Sequence, residues 1–320
     1  METISGYMQG SIERASMALK NGSLVAFPTE TVYGLGADAT NEQAVSRIYS
    51  AKGRPIDHPL IVHISSFNFL DKWAIDIPEY ALKLARDFWP GPMTLILKRS
   101  NLAKDFVTGG QENIGLRVPD HLVAQELINE FEKLGGYGVA APSANRFGAV
   151  SPTTADAVEE ELGDFLQTKD LILDGGHSNI GLESSIIDCT KDKPVVLRPG
   201  AITTQMIQTS SGCKTLFSQG ISDVRAPGLM KSHYSPKAKV EIGINADPGD
   251  GFIAFENVPS PSGVIRLASP ANIEEYARVF YNALRSGDQK GLKKIVVCEP
   301  AGDGMAIAIR DRLRKAIGLG

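Results

Sequence analysis

The chain has 320 residues, of which 42% are hydrophobic and 22% charged, with a formal net charge of −4. That length exceeds what one hydrophobic core usually organises, so two domains are expected. The acidic balance excludes wrapping of nucleic acid by bulk electrostatics, though not a small basic pocket. Three scattered cysteines, Cys189, Cys213 and Cys298, give no disulfide framework and, with five dispersed histidines, no zinc-ligand spacing. No metal held by protein side chains is therefore expected. The N-terminal METISGYMQGSIERA has no apolar signal core, and no run reaches membrane-spanning length, so a cytoplasmic location without membrane contact is expected.

Residues 9–20 carry apolar positions at helical spacing, ended by Asn21-Gly22. SLVAFP reads as a short buried strand that Pro28 stops, and 41–51 as a helix capped by Asn41 or Thr40. Further strands are predicted at 60–64, 93–98, 114–119, 138–145, 171–173, 184–188 and 195–197, with helical stretches between some of them. Strands mixed irregularly with helices fit an α/β sheet domain. The stretch 201–237 is rich in Thr, Ser, Gln and Gly and reads as a linker holding one ordered motif, RAPGLMKSHYSPKA. Beyond it, KVEIGI, GFIAF, GVIRL and KKIVVCE predict strands, with helices over 273–285 and 303–316. These suit a small three-layer, Rossmann-like α/β unit that lacks GxGxxG. The expected division is 1–200, 201–237 and 238–320.

The densest chemical signal is FPTETVYGLGADAT, a strand end followed by polar residues and Gly34-x-Gly36. Such strand ends bind ligands in α/β folds, although a structural turn has the same spacing. AKGRPIDHPL follows, read as extended, so that Lys52 and Arg54 face one space and an anion such as a triphosphate would sit between them. A solvated pair is the plain alternative. His63 lies inside a strand, where a neutral, hydrogen-bonded imidazole costs least; His58 sits in a loop. Arg117 shares a strand face with Gly115, leaving room for a carboxylate, or for a structural ion pair. Ser143 and Asn145 of PSAN share one side of a strand end, and Ser151 opens SPTT, read as a helix N-terminus. Ser184 and Arg198 add a hydroxyl and a guanidinium. There is no GxSxG, HExxH or GxxxxGK[ST]. Chemistry run by positioning and charge stabilisation, as in nucleotidyl transfer, fits that absence.

In order, FPTETVYGLG, KGRP, HPLIVHI, WPGPMTLIL, LRVP, APSAN, SPT, GLESSIID and LRPG resemble the YrdC-like family. PGLMKSHYSP resembles the linker of the long, two-domain threonylcarbamoyl-AMP synthases. The resemblance implies a twisted, mixed α/β sheet with a concave basic cavity, followed by a small Rossmann-like domain. It implies formation of threonylcarbamoyl-AMP and pyrophosphate from L-threonine, bicarbonate and ATP with Mg²⁺. Partner proteins would then pass the threonylcarbamoyl group to the tRNA adenosine beside the anticodon.

Carried over by motif, Thr31, His63, Arg117, Ser184 and the backbone at Ala141 match threonine-holding positions. Lys52 and Arg54 match the pair expected to be catalytic at the phosphates. His58, Asn113, Ser143, Asn145, Ser151, Arg198 and Tyr234, with Arg54, match ATP-contact positions. Two rival readings remain: a non-enzymatic RNA-binding module, and carbamoyl transfer to another acceptor on the same fold. A weak tRNA contact through the helix bearing Arg310, Arg312, Arg314 and Lys315 competes with a solvated helix end.

Overall fold

The structure, a computed structural model, describes residues 1–218, 223–228 and 233–319. Eleven strands form the larger sheet: β1 Glu2–Ser5, β2 Val25–Phe27, β3 Gly34–Asp38, β4 Ile61–His63, β5 Met93–Lys98, β6 Asn113–Arg117, β7 Val139–Ala140, β8 Leu171–Asp174, β9 Ser185–Asp188, β10 Val195–Arg198 and β11 Leu216–Phe217. Their order is β1-β8-β2-β3-β7-β4-β6-β5-β9-β10-β11, with parallel and antiparallel neighbours mixed. Strand 138–145 of the sequence reading shrinks to two residues, and PSAN keeps only an isolated bridge, Ser143 to Gly34 of β3. Residues 204–217, read as linker, instead supply the helix Thr204–Ser211 and the edge strand β11.

Alternation along the strands divides the core into two layers. Ala26 faces a large cluster with the helices Glu42–Lys52, Glu79–Phe88 and Ala155–Leu162. Val25 and Phe27 face the opposite way, against Ala15 and Leu19 of the helix Ser11–Lys20 and Leu127 and Phe131 of the helix Leu122–Lys133. On that second face, Ile61, Ile96, Ile186 and Leu197 pack against Val224 of the linker. The face is therefore covered at both ends, by helices at one and by linker at the other.

Asp170, fully buried at the start of β8, joins three segments. It accepts from the amides of Leu24 at 2.9 Å and Gln167 at 2.7 Å, and from Arg47 at 2.6 and 2.8 Å. Asp170→Ala leaves two amides without acceptors and a partly buried guanidinium without its counter-charge, with only the Gly22 carbonyl at 2.9 Å still accepting from it. The expected loss is about 3–5 kcal/mol of stability, read from the urea midpoint.

The second sheet joins β12 Lys239–Ile242, β13 Gly251–Ile253, β14 Ile265–Ala268 and β15 Lys294–Val297 in the order β12-β15-β13-β14, all parallel. The helices Ile273–Gln289 and Met305–Ala316 both pack on one face, with Val240, Ile253, Ile295 and Val297. Phe252, Ala254 and Val296 on the other face meet Ala246, Val258 and Val264 from loops and strand flanks. The unit is Rossmann-like in its parallel sheet but has two layers, where three were expected.

Val32, Val150, Leu182 and Tyr234 belong to the same apolar cluster as this unit, so the two sheets are bound through a shared core. At Gly181 (φ +78°) a Cβ would lie 2.6 Å from the Arg278 Cα, which only glycine tolerates. The helix expected to offer its basic residues to RNA or solvent turns two of them inward. Arg312 is fully buried and Lys315 nearly so.

Candidate active site

A cavity opens on the sheet face between the helical cover and the linker. His63 and Arg117 form part of its wall as register partners on the parallel strands β4 and β6, so they share a face. Beside them, Thr29 Oγ1 donates to the Val32 carbonyl at 2.6 Å and accepts from the amides of Thr31 and Val32 at 3.2 Å. This local threonine turn holds the Thr31 hydroxyl 2.8 Å from that of Thr29.

Arg117 Nη2 lies 2.7 Å from Glu30 Oε1, both groups buried. Neither atom has an aligned hydrogen-bond partner, so the contact is Coulombic and leaves N–H capacity for a ligand carboxylate. Glu30 Oε2 is fixed separately by the Asp120 amide at 3.0 Å. Burial, and next the Arg117 charge, hold His63 down at about 3. Its imidazole is neutral at physiological pH, and Nδ1 is buried without a partner. A neutral ring with a vacant nitrogen suits hydrogen bonding to a substrate better than proton transfer near neutrality.

On the other side stand Arg54 and Arg198. Arg54 donates to the His58 carbonyl at 3.4 Å and the Pro59 carbonyl at 3.0 Å. Arg198 donates to the carbonyls of Ser184 and Pro227 at 3.0 Å and to Ser184 Oγ at 3.1 Å. Burial lowers both, Arg54 to about 10. Among the described residues neither guanidinium forms an ion pair with a carboxylate. Two buried cations with only neutral acceptors are an arrangement completed by an anion.

Lys52 differs from the sequence reading. It is the last residue of a helix that Gly53 (φ 63°) terminates, not part of an extended pair with Arg54. Its ammonium is buried and donates to the Ser143 carbonyl at 2.6 Å and to the Asn145 carbonyl. Burial, then Arg54, lowers its pKa well below the ordinary value. Lys52 fastens the PSAN segment rather than lining the cavity. Of Gly34-x-Gly36, Gly34 lines the cavity, while Gly36 is a packing device. A Cβ on Gly36 would meet Phe27 and Val139 at 2.8 Å.

Glu183 closes the wall toward the C-terminal unit. It accepts from Ser151 Oγ at 2.6 Å, Tyr281 at 2.9 Å and Arg312 Nε at 2.8 Å. Burial alone would raise its pKa, but Arg312 and Arg198, with these hydrogen bonds, hold it at about 2. His233 is kept at about 3, by burial first, despite Glu183 and with Lys52, Arg54 and Arg198 adding to the effect.

These shifts set an acid limit. Both histidines have an ordinary value of 6.5 and a folded value of about 3. Between those values the unfolded chain binds protons that the folded chain refuses, so stability falls as pH falls below about 6.5. Each contributes a slope of about 1.4 kcal/mol per pH unit. Glu183 adds loss as pH drops from 4.5 toward about 2. Urea midpoints are expected to fall between pH 7.5 and pH 5; a flat profile there contradicts the burial of these imidazoles.

Of the residues singled out in the sequence, Thr31, Arg54, His63, Arg117, Ala141, Ser143, Ser184, Arg198 and Tyr234 line this one cavity. His58, Asn113, Asn145 and Ser151 do not. His58 packs edge-on against Phe147. Asn113 begins β6, four residues from Arg117 along the strand. Asn145 donates to the carbonyls of Arg146 and Ala149. Ser151 reaches the site only through Glu183, and the helix after it is capped by Thr154, which accepts from the Ala157 amide. Of the linker motif, Pro227, Gly228, His233 and Tyr234 line the cavity, whereas Leu229 to Ser232 lie outside the described residues. Sequence reasoning missed Tyr281 and Arg312, which carry no local motif.

The family described as "Telomere recombination" (Sua5, YciO and YrdC) matches residues 17–200. "Threonylcarbamoyl-AMP synthase, C-terminal domain" matches residues 202–318. The chain is 39% identical to threonylcarbamoyl-AMP synthase of Pyrococcus abyssi, over 96% of this chain and 94% of that protein. It is 38% identical to the enzyme of the same name from Bacillus subtilis, over 96% and 93%. Its fold superposes on the crystal structure of Pyrococcus abyssi Sua5 complexed with L-threonine with a TM-score of 0.88, at 36% identity, covering 100% of this chain and 98% of that one. The chain therefore belongs to the threonylcarbamoyl-AMP synthase family, in the form that joins a YrdC-like domain to the family's C-terminal domain.

Proposed function

We propose that the chain is an L-threonylcarbamoyladenylate synthase, a nucleotidyltransferase that makes threonylcarbamoyl-AMP and pyrophosphate from L-threonine, bicarbonate and ATP. One observation carries this reading: a single cavity sets Arg117, neutral His63 and the Thr31 hydroxyl beside two buried arginines that lack a carboxylate. The first group suits the carboxylate, amine and hydroxyl of a small amino acid. The second suits a triphosphate. The names of the relatives and the threonine complex of the Pyrococcus protein support the same substrates.

In this reading the threonine amine attacks the carbon of bicarbonate or dissolved carbon dioxide, giving a carbamate after loss of a proton, and of hydroxide where bicarbonate reacts. A carbamate oxygen then attacks the α-phosphorus, and the bond to the bridging oxygen breaks with pyrophosphate leaving. All partners are anionic, so the reaction needs cations that are fixed before the substrates arrive. Arg54 and Arg198 fill that role directly. Lys52 acts by holding the carbonyls of Ser143 and Asn145, which shapes the nucleotide side. Thr31, His63, Arg117, Ser184 and the Ala141 backbone hold threonine; Ser143 and Tyr234 complete the ATP side.

Mg²⁺ would enter on the triphosphate. Among the described residues no three His, Cys, Asp or Glu side chains cluster as a cage, so its ligands in this reading are phosphate oxygens and water. We further take 1–200 as the catalytic unit, 201–237 as a linker that lends it the helix Thr204–Ser211 and β11, and 238–320 as a supporting unit. The product would serve cytoplasmic tRNA modification through separate transfer proteins. No helix among the described residues is long and apolar enough to cross a membrane.

Mass spectrometry of a reaction supplied with ¹³C-bicarbonate tests the assignment. Threonylcarbamoyl-AMP one mass unit heavier than the unlabelled product is expected; AMP or ADP alone would overturn it.

A further inference from the structure

Glu183 presents a chemical difficulty for a site that must hold two anionic substrates. Its carboxylate lies in the cavity wall, is ionised, and is buried where water cannot screen it. Left alone it would oppose the triphosphate that Arg54 and Arg198 attract. Besides Arg198, the neutralising charge comes from Arg312, 129 residues away at the other end of the chain, whose Nη1 also donates to Asp311 Oδ2 at 2.6 Å. Arg312 Nε donates to Glu183 Oε2 at 2.8 Å, and Nη2 to the Glu183 carbonyl at 3.3 Å. Tyr281 adds a 2.9 Å hydrogen bond to the same carboxylate oxygen.

The same two side chains hold the linker. The Arg312 guanidinium lies 5.6 Å from the Tyr234 ring centroid, and the Tyr281 ring stacks on Tyr234 at 5.7 Å. Tyr234 needs such support, because it adopts a left-handed backbone (φ 63°) that non-glycine residues disfavour. Its hydroxyl is buried without a partner and belongs to the cavity lining.

We propose that Arg312 and Tyr281 are positioning residues of the synthase site. Arg312 cancels the Glu183 charge, and the pair pins Tyr234, so that the charge of Arg54 and Arg198 is spent on the nucleotide. Glu183 itself is no general base here: three side-chain donors occupy it, and an acid this strong does not take a proton from an ammonium group. The inference rests on the reading of the cavity as the ATP and threonine site, and it gives the C-terminal unit a part in nucleotide binding. A unit that merely glued the fold together would act differently. Its loss would reduce the fraction of active protein and lower kcat, with KM unchanged.

Pyrophosphate release by the full chain, with ATP and threonine varied in turn, separates the two cases. Arg312→Met is expected to raise KM for ATP about tenfold or more while KM for threonine changes by less than about threefold. Glu183→Gln added to Arg312→Met removes the uncompensated charge and is expected to recover much of that loss. Arg312→Lys, which keeps the charge but not the fork, is expected to fall between. Calorimetric titration with a non-hydrolysable ATP analogue should follow the same order without turnover.

Equal effects on both KM values, or no recovery in the double variant, would overturn the inference. If Arg312→Met does not melt cooperatively, Tyr281→Phe takes its place. It loses one hydrogen bond to Glu183, and an unchanged KM for ATP would again overturn the inference. Wild-type protein that releases no pyrophosphate with threonine would instead overturn the functional reading beneath it.

Discussion

Lys52→Ala is expected to lower turnover about a hundredfold or more while threonine affinity changes by less than about threefold. The ammonium holds two carbonyls, those of Ser143 and Asn145, from the end of the helix Glu42–Lys52. Without it both carbonyls lose this donor, and the buried one on Asn145 is left unsatisfied at about 1–3 kcal/mol. The PSAN segment then loosens beside the proposed nucleotide site, where a displacement of about 1 Å suffices for such a loss. In the proposed reading threonine is held elsewhere, by the face of β4 and β6. Parallel pyrophosphate-release rates and calorimetric threonine titrations give the comparison. Equal loss of rate and affinity would place Lys52 on threonine instead.

Arg117→Met makes the opposite prediction. Threonine binding is expected to weaken about a hundredfold, because in the proposed reading the Arg117 guanidinium meets the threonine carboxylate. The protein is also expected to lose about 3–5 kcal/mol of stability, since Glu30 stays buried with its charge unpaired. Adding Glu30→Gln separates the two effects. Stability should return, as the urea midpoint would show, while threonine affinity should not. Recovery of both in the double variant would mean that Arg117 serves only to neutralise Glu30.

The contrast between these residues marks what the amino-acid order makes legible. Strands such as β5 and β10 are apolar runs and can be read directly. β3 cannot, because GLGAD looks like a polar turn until Phe27 and Val139 are seen pressing on Gly36. The helix Thr204–Ser211 hides for a related reason: TQMIQTSS is polar, and what starts it is a single hydroxyl of Thr203 accepting from the Met206 amide.

In the site, local motifs identify residues, while the pairings between them come from the fold. Arg117 stood between a ligand carboxylate and an ion pair; the structure supplies Glu30 and still leaves N–H capacity beside it. Arg312 looked like one basic residue among several on a terminal helix, yet it is fully buried against Glu183. Such contacts depend on how two units dock, which no spacing along the chain encodes.

In the proposed reaction one cavity couples threonine to ATP. This coupling is tested most directly by pyrophosphate release from ATP and bicarbonate, with L-threonine compared against L-serine and L-valine. Release that depends on an amino acid and is fastest with threonine is the predicted result. Release at the same rate with no amino acid, or none with threonine, would contradict it.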